Sequence, residues 1–588
     1  MSTKKCGKCK KYTKKEYFKA DIIVIGAGAA GCILMNQLSK KFSVIGIEAG
    51  LNNIDDPQIQ AVGLPALLLP ATAAYKYFWS GWKQTVPQSG LNNRVSDWTT
   101  GMIIGGGSAI NGLYYGRGSN AVYSQWEEIS ESENWSLSNI LATFKELENY
   151  QGLTITAGAR GTNGPVNILQ TPTVSQITTN VLLPASQAAF PNIPLVVDYN
   201  DPSVQNCIDL RAQWFIDPTG TERVSSATAF LNDSDITQDG HGINGHRLRV
   251  LFNSVAERIF FDKHCYGRAK GVLCLRNGKL IKIRARKAVI LAGGINSSKL
   301  LQLSGIGPSD VLKNAGIKPV FINKNVGKNL QNHPLIFISL LANPNDNGVP
   351  SNAPYAFTVH NIYLPIVGGA ASDPRMLQIL FEYLPAGVQS PVPLIVIGFE
   401  LLNPKSKGSV NIQSNNPQQI CAADDGFYQD PIDLQNMKDA VKVYIRALLE
   451  QLAIISPPFY TPVITDPINA VILSNYDDLV VEQYVKNNSN LSLDVHHFTS
   501  HCKMAALNAD GVVDGNTLVY GTKNVYVTDN AICSTIPDIN TTGPAMMIGL
   551  QSSKILERVL LRPELKHQDC CKNHCNNCYK NHHHNCKH

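Results

Sequence analysis

Blocks of hydrophobic and polar positions near the start of the chain predict a strand, a helix and a second strand. The run Asp21–Ile25 is short, apolar and rich in β-branched residues, which is typical of a buried parallel strand. Apolar positions at helical spacing then continue to Leu38, and a second apolar run, Phe42–Ile47, ends at Glu48. Because parallel strands need a crossover connection, the three segments together predict a βαβ unit.

Three glycines, Gly26, Gly28 and Gly31, lie between the first strand and the helix. In a dinucleotide-binding turn the first permits a tight bend, the second lets backbone amides approach a pyrophosphate, and the third allows close helix–strand packing. The helix N-terminus favours bound phosphate, and Glu48 can accept hydrogen bonds from a ribose hydroxyl. The pattern predicts a dinucleotide site, with a bare structural turn as the alternative, and it does not distinguish FAD from NAD.

The size and composition of the chain indicate a folded protein of more than one domain. It has 588 residues, of which 44% are hydrophobic and 16% are charged. Domains hold about 100–200 residues each, and this composition excludes a mainly disordered protein. The nearest approach to a membrane span, residues 61–74, contains Pro65 and Pro70 and is followed by Lys76, so we predict no span. The lysine-rich start has no apolar segment behind it and does not predict a signal peptide.

A second glycine-rich segment covers residues 101–118. Its candidate site residues are Gly105, Gly106, Ser108, Asn111 and Gly112. Together with the first glycine turn, this segment resembles the first signature of the glucose–methanol–choline (GMC) family of FAD-dependent oxidoreductases. The resemblance continues in order to about Leu560, through residues 134–136, 161–165, 223–231, 292–307 and 326–334.

Three positions in the first part of the chain depart from the family pattern, and a further departure is Ser500 and His501, where the family has Gly-Thr. Met102 stands where a basic residue is usual, Ser298 where proline is usual, and Asn332 where aspartate is frequent. None of the three replaces a catalytic group. The departures indicate a divergent member of the family.

The resemblance implies a catalytic histidine near the C-terminus. In the family a histidine lies five positions before the equivalent of Cys502, and that position here is His497. Metal binding is one alternative, because His497 and His501 are four residues apart and Cys502 is adjacent, a spacing that suits one helical face. A buried structural histidine is another. The family-like segments that follow, within residues 511–537, favour catalysis over metal binding.

The predicted partner of His497 is Asn540, at the family position just before the last helix. Its alternative role is that of an ordinary helix N-cap. The resemblance implies that His497 accepts the hydroxyl proton of an alcohol while a hydride moves from carbon to the flavin. Asn540 is expected to orient the same oxygen.

The resemblance also implies which residues contact FAD. The ADP portion and pyrophosphate are expected against Gly26, Gly28, Gly31, Glu48, Ala292 and Asp529. Val255 is expected near the adenine, and Asn111 with Gly112 near the isoalloxazine ring. Some family members attach FAD covalently through a histidine at the position of Asn111. Asparagine cannot form that bond, so we predict non-covalent, dissociable FAD.

The implied fold class is α/β, with an FAD-binding Rossmann-like domain and an α+β substrate domain built on a mostly antiparallel sheet. We expect the FAD domain to be discontinuous, over residues 20–160, 222–335 and 495–565. The substrate domain is expected over residues 161–221 and 336–494. Residues 1–19 and 566–588 are expected to be tails.

Charge and cysteine are concentrated in these tails. Residues 1–19 carry +7 and residues 566–588 carry +3, so the net charge of +6 leaves −4 on the body. Seven of the 14 cysteines lie in the tails, where Cys6/Cys9 and Cys575/Cys578 form CxxC pairs near several histidines. Metal binding, intermolecular crosslinking and a solvated disordered tail all fit this composition. The lysines are also compatible with binding to the phosphates of a nucleic acid. The seven scattered body cysteines predict buried free thiols.

Tails of this kind resemble those of GMC-type paralogues of giant viruses. That resemblance implies a second class of function, a virion coat or genome-packaging protein that self-assembles and retains the enzyme fold. The first hypothesis remains a flavoenzyme that oxidises a small-molecule alcohol and passes electrons to O₂ or another acceptor. The sequence predicts an intracellular protein or a virion component, and it does not identify the substrate.

Overall fold

The computed structural model describes residues 18–63, 76–79, 86–96, 98, 100–345, 358–387, 389–455, 459–491 and 496–562. The C-terminal tail and all but the last two residues of the N-terminal tail lie outside these ranges. The hypotheses of metal binding, crosslinking and nucleic-acid contact by the tails therefore stay predictions.

The predicted βαβ unit is confirmed and lies at the centre of a seven-stranded sheet. Phe18–Ile25 pairs in parallel with Val44–Ile47, and the helix Ala29–Ser39 connects them. We call this the large sheet. Its strand order is Leu248–Leu251, Val44–Ile47, Phe18–Ile25, Lys279–Leu291, Ala269–Arg276 and Ser254–Phe261, with Val525–Val527 paired to the end of Lys279–Leu291.

A second sheet, here the antiparallel sheet, has six strands. Their order is Leu335–Leu341, Leu394–Leu401, Leu377–Leu384, Thr358–Leu364, Cys207–Asp209 and Leu195–Val196, and only the last pair is parallel. Because side chains alternate along a strand, this sheet has two different faces. One face, with Ile338, Ile397 and Phe399, packs against the helices between residues 431 and 488. The other face lines a cavity.

Helices and short helical turns lie between the strands along the chain. The α-helices are Ala29–Ser39, Pro57–Gln60, Asn120–Ser130, Leu137–Leu147, Leu183–Ala189, Ser226–Phe230, Asn296–Leu303, Ser309–Asn314, Pro431–Asp439, Arg446–Ile455, Ile468–Leu473, Asp478–Asn488 and Thr542–Leu561. The π-helical turns are Thr178–Leu182 and Ala440–Ile445. The 3₁₀ turns are Ser89–Leu91, Gly106–Ala109, Glu133–Trp135, Leu507–Ala509 and Asn530–Ile532. Among the described helices, none has the length and apolar character to cross a membrane.

Three small sheets complete the fold. Their strands are Ile306–Gly307 with Phe321–Ile322; Lys328–Leu330, Gly408–Asn411 and Ala422–Asp424; and Glu148–Gln151, Val166–Gln170 and Gln213–Trp214. The seven body cysteines carry free thiols, and six of them are buried. This confirms the prediction for the body, with Cys265 as the partly exposed exception.

Candidate active site

A cavity of about 980 Å³ lies between the carboxyl ends of the large-sheet strands and the open face of the antiparallel sheet. In open α/β sheets, ligands bind at the carboxyl ends of the strands. Twelve of the fourteen predicted site residues line this cavity. They are Gly26, Gly28, Glu48, Gly106, Ser108, Asn111, Gly112, Val255, Ala292, His497, Asp529 and Asn540.

The other two predicted residues, Gly31 and Gly105, lie behind the cavity wall and shape it. A Cβ atom on Gly31 would stand 1.9 Å from the carbonyl oxygen of Gly26, so only glycine allows the helix to approach the turn this closely. The amide of Gly105 donates to the carbonyl of Ala27 at 2.7 Å and thereby joins the two glycine segments. Both residues fix the shape of the glycine loops in this structure.

Two buried carboxylates, Glu48 and Asp529, fix loops that line the cavity. The Glu48 side chain accepts hydrogen bonds from the amides of Ala27 and Gly50, both at 2.8 Å. Asp529 accepts from the amide of Gly294 at 2.9 Å and from the Ser297 hydroxyl at 2.7 Å. Burial raises the pKa of Glu48 to about 7 and that of Asp529 to about 6, against the effect of these hydrogen bonds.

Asn111 joins the second glycine segment to the start of the last helix. Its Nδ2 donates to the Thr542 hydroxyl at 3.0 Å, and its Oδ1 accepts from Arg223 at 2.6 Å. Arg223 is fully buried, and burial lowers the pKa of its guanidinium to about 9. The side chain of Asn111 is therefore held in place by protein groups on both of its polar atoms.

The residues present fit a dinucleotide. Gly26 has a φ of +95°, and a Cβ atom there would stand 2.4 Å from the carbonyl oxygen of Ala292. Likewise, a Cβ on Gly106 would stand 2.8 Å from the Cα of Gly28, so the two glycine segments form a cradle without side chains. The cavity volume is at the upper end of the range for ligand sites, about 300–1,000 Å³. Asn540 Oδ1 is buried without a hydrogen-bond partner and also faces this cavity.

His497 lines the cavity between a carboxylate and an amide. Its Nδ1 is 3.0 Å from Glu400 Oε1, and its Nε2 is 3.3 Å from Asn540 Nδ2. An ionised carboxylate only accepts hydrogen bonds, so Nδ1 of His497 donates to Glu400 and Nε2 of the neutral ring is an acceptor. Burial lowers the pKa of His497, and the charge of Glu400 opposes this shift. The site therefore presents a neutral imidazole nitrogen to a ligand.

A second histidine, His333, shares the same carboxylate oxygen. Its Nδ1 is 2.8 Å from Glu400 Oε1 and 2.9 Å from His497 Nδ1. Burial alone would raise the pKa of Glu400, but the two imidazoles outweigh burial and hold that pKa at about 2. The side chain of His497 is 13% exposed and that of His333 is 0% exposed, so only His497 is accessible from the cavity.

The backbone around this cluster is held by Asn332, one of the departures from the family pattern. Its Oδ1 accepts from the amides of His333 and His497, both at 3.0 Å. Its Nδ2 donates to Asp425 at 3.2 Å, and Trp98 donates to the other oxygen of Asp425. An aspartate at position 332 would place its carboxylate against that of Asp425. The asparagine avoids this repulsion and donates a hydrogen bond to Asp425 instead.

The metal site considered from the sequence is not the cluster that the structure forms. His501 is fully buried, and its Nδ1 lies 3.9 Å from Cys502 Sγ, whereas His497 turns to Glu400 and His333. Among the described residues, only His333, Glu400 and His497 bring three metal-ligating atoms together. Their contacts of 2.8–3.0 Å are hydrogen-bond distances, whereas tetrahedral zinc ligands at about 2.0–2.1 Å from the metal stand about 3.3 Å apart.

The structure also separates the two roles considered for Asn540. The N-cap of the helix Thr542–Leu561 is Thr541, which makes no side-chain capping bond. Asn540 precedes the cap and directs its amide to His497. The alternative of an N-cap at Asn540 is therefore wrong.

Comparisons with known proteins agree with this fold. The pyridoxine 4-oxidase of Mesorbium loti superposes with a TM-score of 0.77 at 21% identity, over 92% of this chain and 99% of that chain. A formate oxidase from Aspergillus oryzae superposes with a TM-score of 0.78 at 19% identity, over 95% and 100%. At these identities the likeness shows the fold alone. It is the fold of FAD-dependent oxidoreductases, which confirms the predicted fold class.

The sequence comparisons narrow that class to a family. Profiles described as GMC oxidoreductase match residues 20–335 and 404–549. The chain therefore belongs to the GMC oxidoreductase family, whose members bind FAD. An oxygen-dependent choline dehydrogenase from Rhizobium johnstonii is 28% identical over 559 residues, 90% of this chain and 94% of that protein. An alcohol dehydrogenase (acceptor) from Pseudomonas putida is 26% identical over 565 residues, 92% and 96%.

Sequence reasoning assigned no role to Glu400, His333 or Arg223. Glu400 had a detectable signal, because it is a lone charge in the apolar strand Leu394–Leu401. The strand register places Glu400 opposite Leu335, two residues after His333, and the side-chain contact of Glu400 with His497 joins residues 97 positions apart. Arg223 and His333 lie within the family-like segments and gave no separate signal.

Proposed function

We propose that this protein oxidises the CH–OH group of a small-molecule alcohol to a carbonyl. The observation that carries the proposal is the orientation of His497, whose Nδ1 is bound by Glu400 and whose Nε2 faces the cavity beside Asn540. The names of the two sequence relatives, a choline and an alcohol dehydrogenase, support an alcohol as the substrate class.

The residues have distinct parts in the proposed reaction. His497 accepts the hydroxyl proton at Nε2, and Glu400 stabilises the imidazolium that results. Asn540 donates to the substrate oxygen and sets its position relative to His497. FAD, when bound, supplies the acceptor for the hydride that leaves the carbon.

The residues proposed to hold FAD are those that line the nucleotide end of the cavity. Glu48, the glycine cradle, Ala292 and Asp529 are proposed for the ADP portion, and Val255 for the adenine. Asn111 and Gly112 are proposed for the isoalloxazine ring. We propose the division into an FAD domain and a substrate domain given in the sequence analysis. The strands of the large sheet lie within residues 18–47, 248–291 and 525–527, and those of the antiparallel sheet within residues 195–209 and 335–401.

The proposal is tested by anaerobic bleaching of the protein-bound flavin with a panel of primary alcohols. A positioned base contributes about 10²–10⁴-fold in rate, so His497→Ala should lower the bleaching rate by that factor at unchanged FAD content. The matched control is His241→Ala, because the His241 side chain is 57% exposed and does not line the cavity. Bleaching by no alcohol, or equal rates in His497→Ala, would contradict the proposal.

Reoxidation is measured in the same preparation. Turnover with O₂ and with an artificial acceptor distinguishes an oxidase from a dehydrogenase, and we propose O₂ or another small acceptor. The virion coat or packaging hypothesis rests on the tails, and no observation on the described residues favours it.

A further inference from the structure

Arg223 is a buried cation next to the second glycine segment, and the proposed chemistry assigns it no role. It is 2% exposed. Its Nη1 donates to Asn111 Oδ1 at 2.6 Å and to the carbonyl of Ser108 at 3.4 Å, and its Nε donates to the carbonyl of Ile59 at 2.9 Å. Its Nη2 is buried without a hydrogen-bond partner. The acceptors are one side-chain amide and two backbone carbonyls, so all of them are neutral.

Two other buried arginines show how such a charge is usually compensated. Arg117 and Arg160 are similarly buried, and both form ion pairs with Glu148, while Arg160 also pairs with Asp198. Over the described residues, Arg223 forms no ion pair, and burial is the sole cause that lowers the pKa of its guanidinium, to about 9. The group therefore keeps its charge at pH 7 with no carboxylate of the described chain beside it.

A buried guanidinium without a counterion is costly, because the protein interior replaces only part of the hydration that the charge has lost. A negative charge that forms nearby recovers some of this free energy, since two opposite charges attract strongly in a low-dielectric site. The position of Arg223 therefore favours a reaction that places negative charge in the cavity beside Asn111.

Asn111 connects Arg223 to the part of the cavity that holds His497. The Nδ2 of Asn111 donates to the Thr542 hydroxyl at 3.0 Å, and Thr542 lines the cavity two residues after Asn540. Asn540 Nδ2 in turn lies 3.3 Å from His497 Nε2. The helix that begins at Thr542 has no side-chain cap, so its N-terminus adds a second positive potential on this side of the cavity. Both sources act on a group bound between Asn111 and His497.

We propose that Arg223 is a positioning residue for FAD, which holds Asn111 against the isoalloxazine ring and stabilises the negative charge of the reduced ring. The inference rests on the FAD assignment within the function proposed above. A hydride that leaves the alcohol carbon brings two electrons and one proton to the ring, whose charge changes from zero to minus one. His497 takes the hydroxyl proton, and Arg223 keeps all of its protons. The reduced ring is then the counterion that Arg223 lacks in the oxidised protein.

The first experiment measures the two-electron reduction potential of the bound flavin at pH 7 against a reference dye, with a chemical reductant and no alcohol. In Arg223→Gln the equilibrium should shift at least tenfold towards oxidised flavin, which is a fall of about 30 mV. The matched control is Arg446→Gln, because the Arg446 side chain is 42% exposed in a surface pair with Glu450. The control should keep the wild-type potential. An unchanged potential in Arg223→Gln would overturn the proposal.

A second variant separates the charge of Arg223 from its packing. Asn111→Asp keeps the arginine and places a carboxylate oxygen where Asn111 Oδ1 now accepts from Nη1. The local charge falls by one, as in Arg223→Gln, so the potential should again fall by at least a tenfold shift of the equilibrium. The Tm should not fall, because the guanidinium gains a counterion.

The comparison of the two variants decides between charge and structure. A lower potential in Arg223→Gln with an unchanged potential in Asn111→Asp would mean that glutamine only disturbs the loop, and the proposal would be wrong. If Arg223→Gln does not fold with FAD, the potential of Asn111→Asp alone decides the question.

The second experiment tests the other anionic group of FAD, its pyrophosphate, as the partner of Arg223. The Kd of oxidised FAD is measured by dilution of each holoprotein. By linkage, a partner of the pyrophosphate stabilises both redox states equally, so its loss weakens FAD binding and leaves the potential unmoved. We expect the opposite result, a lower potential with the Kd of oxidised FAD within about threefold of the wild-type value. Binding at least tenfold weaker at an unmoved potential would overturn the proposal.

The potential needs no substrate, so this inference and the proposed function can fail separately. If no alcohol bleaches the flavin but the potential falls in both variants, the proposed function fails and the role of Arg223 stands. If alcohols bleach the flavin and all of the proteins have the same potential, the role proposed for Arg223 is wrong.

Discussion

One carboxylate, Glu400, determines which nitrogen of His497 faces the cavity. Glu400 is 1% exposed and is held ionised by two imidazoles, with its pKa at about 2. It therefore keeps a proton on Nδ1 of His497 at neutral pH and leaves Nε2 free to accept one. Without Glu400 the only remaining group that favours an unprotonated Nε2 among these contacts is Asn540, at 3.3 Å, so the tautomer preference would be weaker.

This arrangement predicts a specific pH profile. Burial lowers the pKa of His497 from the ordinary value of 6.5, and Glu400 opposes the shift. The base must be neutral, so kcat/KM should fall as the pH falls, with its midpoint below 6.5. In Glu400→Gln the opposing charge is removed, so the midpoint should move to still lower pH. The maximal rate should fall at least about tenfold, because the tautomer is no longer fixed. A pH series of flavin bleaching in both proteins measures this, and a midpoint that rises in the variant would contradict it.

At the scale of helices and strands, the sequence predicted the elements whose conformation depends on nearby residues in the chain. The glycine turn, the helix to Leu38 and the strand that ends at Glu48 follow from backbone conformation and hydrophobic period, and all three are present. The structure also places His497 and Asn540 in one cavity. Glu400 could not be assigned, because its strand neighbours and its contact with His497 join segments that are distant in sequence. A single charged residue within an apolar strand, such as Glu400 in Leu394–Leu401, is the sequence feature that indicates a contact of this kind.

The junction between the helix Leu137–Leu147 and the strand Glu148–Gln151 is fixed by a buried ionic network. Glu148 accepts from Arg117 Nε at 2.6 Å and from Arg160 Nε at 3.1 Å, and its side chain is 1% exposed. Arg160 also donates to Asp198 at 2.8 Å. Burial would raise the pKa of Glu148, but the two arginines outweigh it and lower the pKa to about 2.

Removing the charge of Glu148 should destabilise the protein strongly. In Glu148→Gln the two buried guanidinium groups lose the charge of their shared carboxylate. The free energy of unfolding should fall by about 3–5 kcal/mol. The matched control is Glu146→Gln, because Glu146 is 55% exposed in a surface pair with Lys554 and such pairs contribute about 0–1 kcal/mol. Since the folded pKa is depressed, this stabilisation is present above about pH 4.5 and is lost as the pH falls towards 2. Urea unfolding at pH 7 and pH 3 measures both effects, and equal midpoints for the two variants at pH 7 would contradict the prediction.

At the scale of the whole molecule, the cavity joins parts of the chain that are far apart in sequence. Its wall includes residues from the first glycine turn, from both sheets and from the start of the last helix. By the proposed assignment of residues, FAD bound in this cavity would contact several of these parts at once. Its binding energy therefore contributes to the stability of the complete body, whose net charge is −4 once the two basic tails are set aside.

FAD should be removable, and its removal should weaken the whole body. Both polar atoms of Asn111 are held by protein groups, and an amide has no nucleophile for a covalent flavin bond. Acid precipitation should therefore release all of the yellow colour into the supernatant, and a yellow pellet would contradict non-covalent binding. A ligand at 100 times its Kd stabilises the folded state by about 2.7 kcal/mol, so the apoprotein should unfold at a lower temperature. Titrating FAD back should raise that temperature as the logarithm of the free FAD concentration, whereas a single fixed Tm would mean that the cofactor does not bind the cavity reversibly.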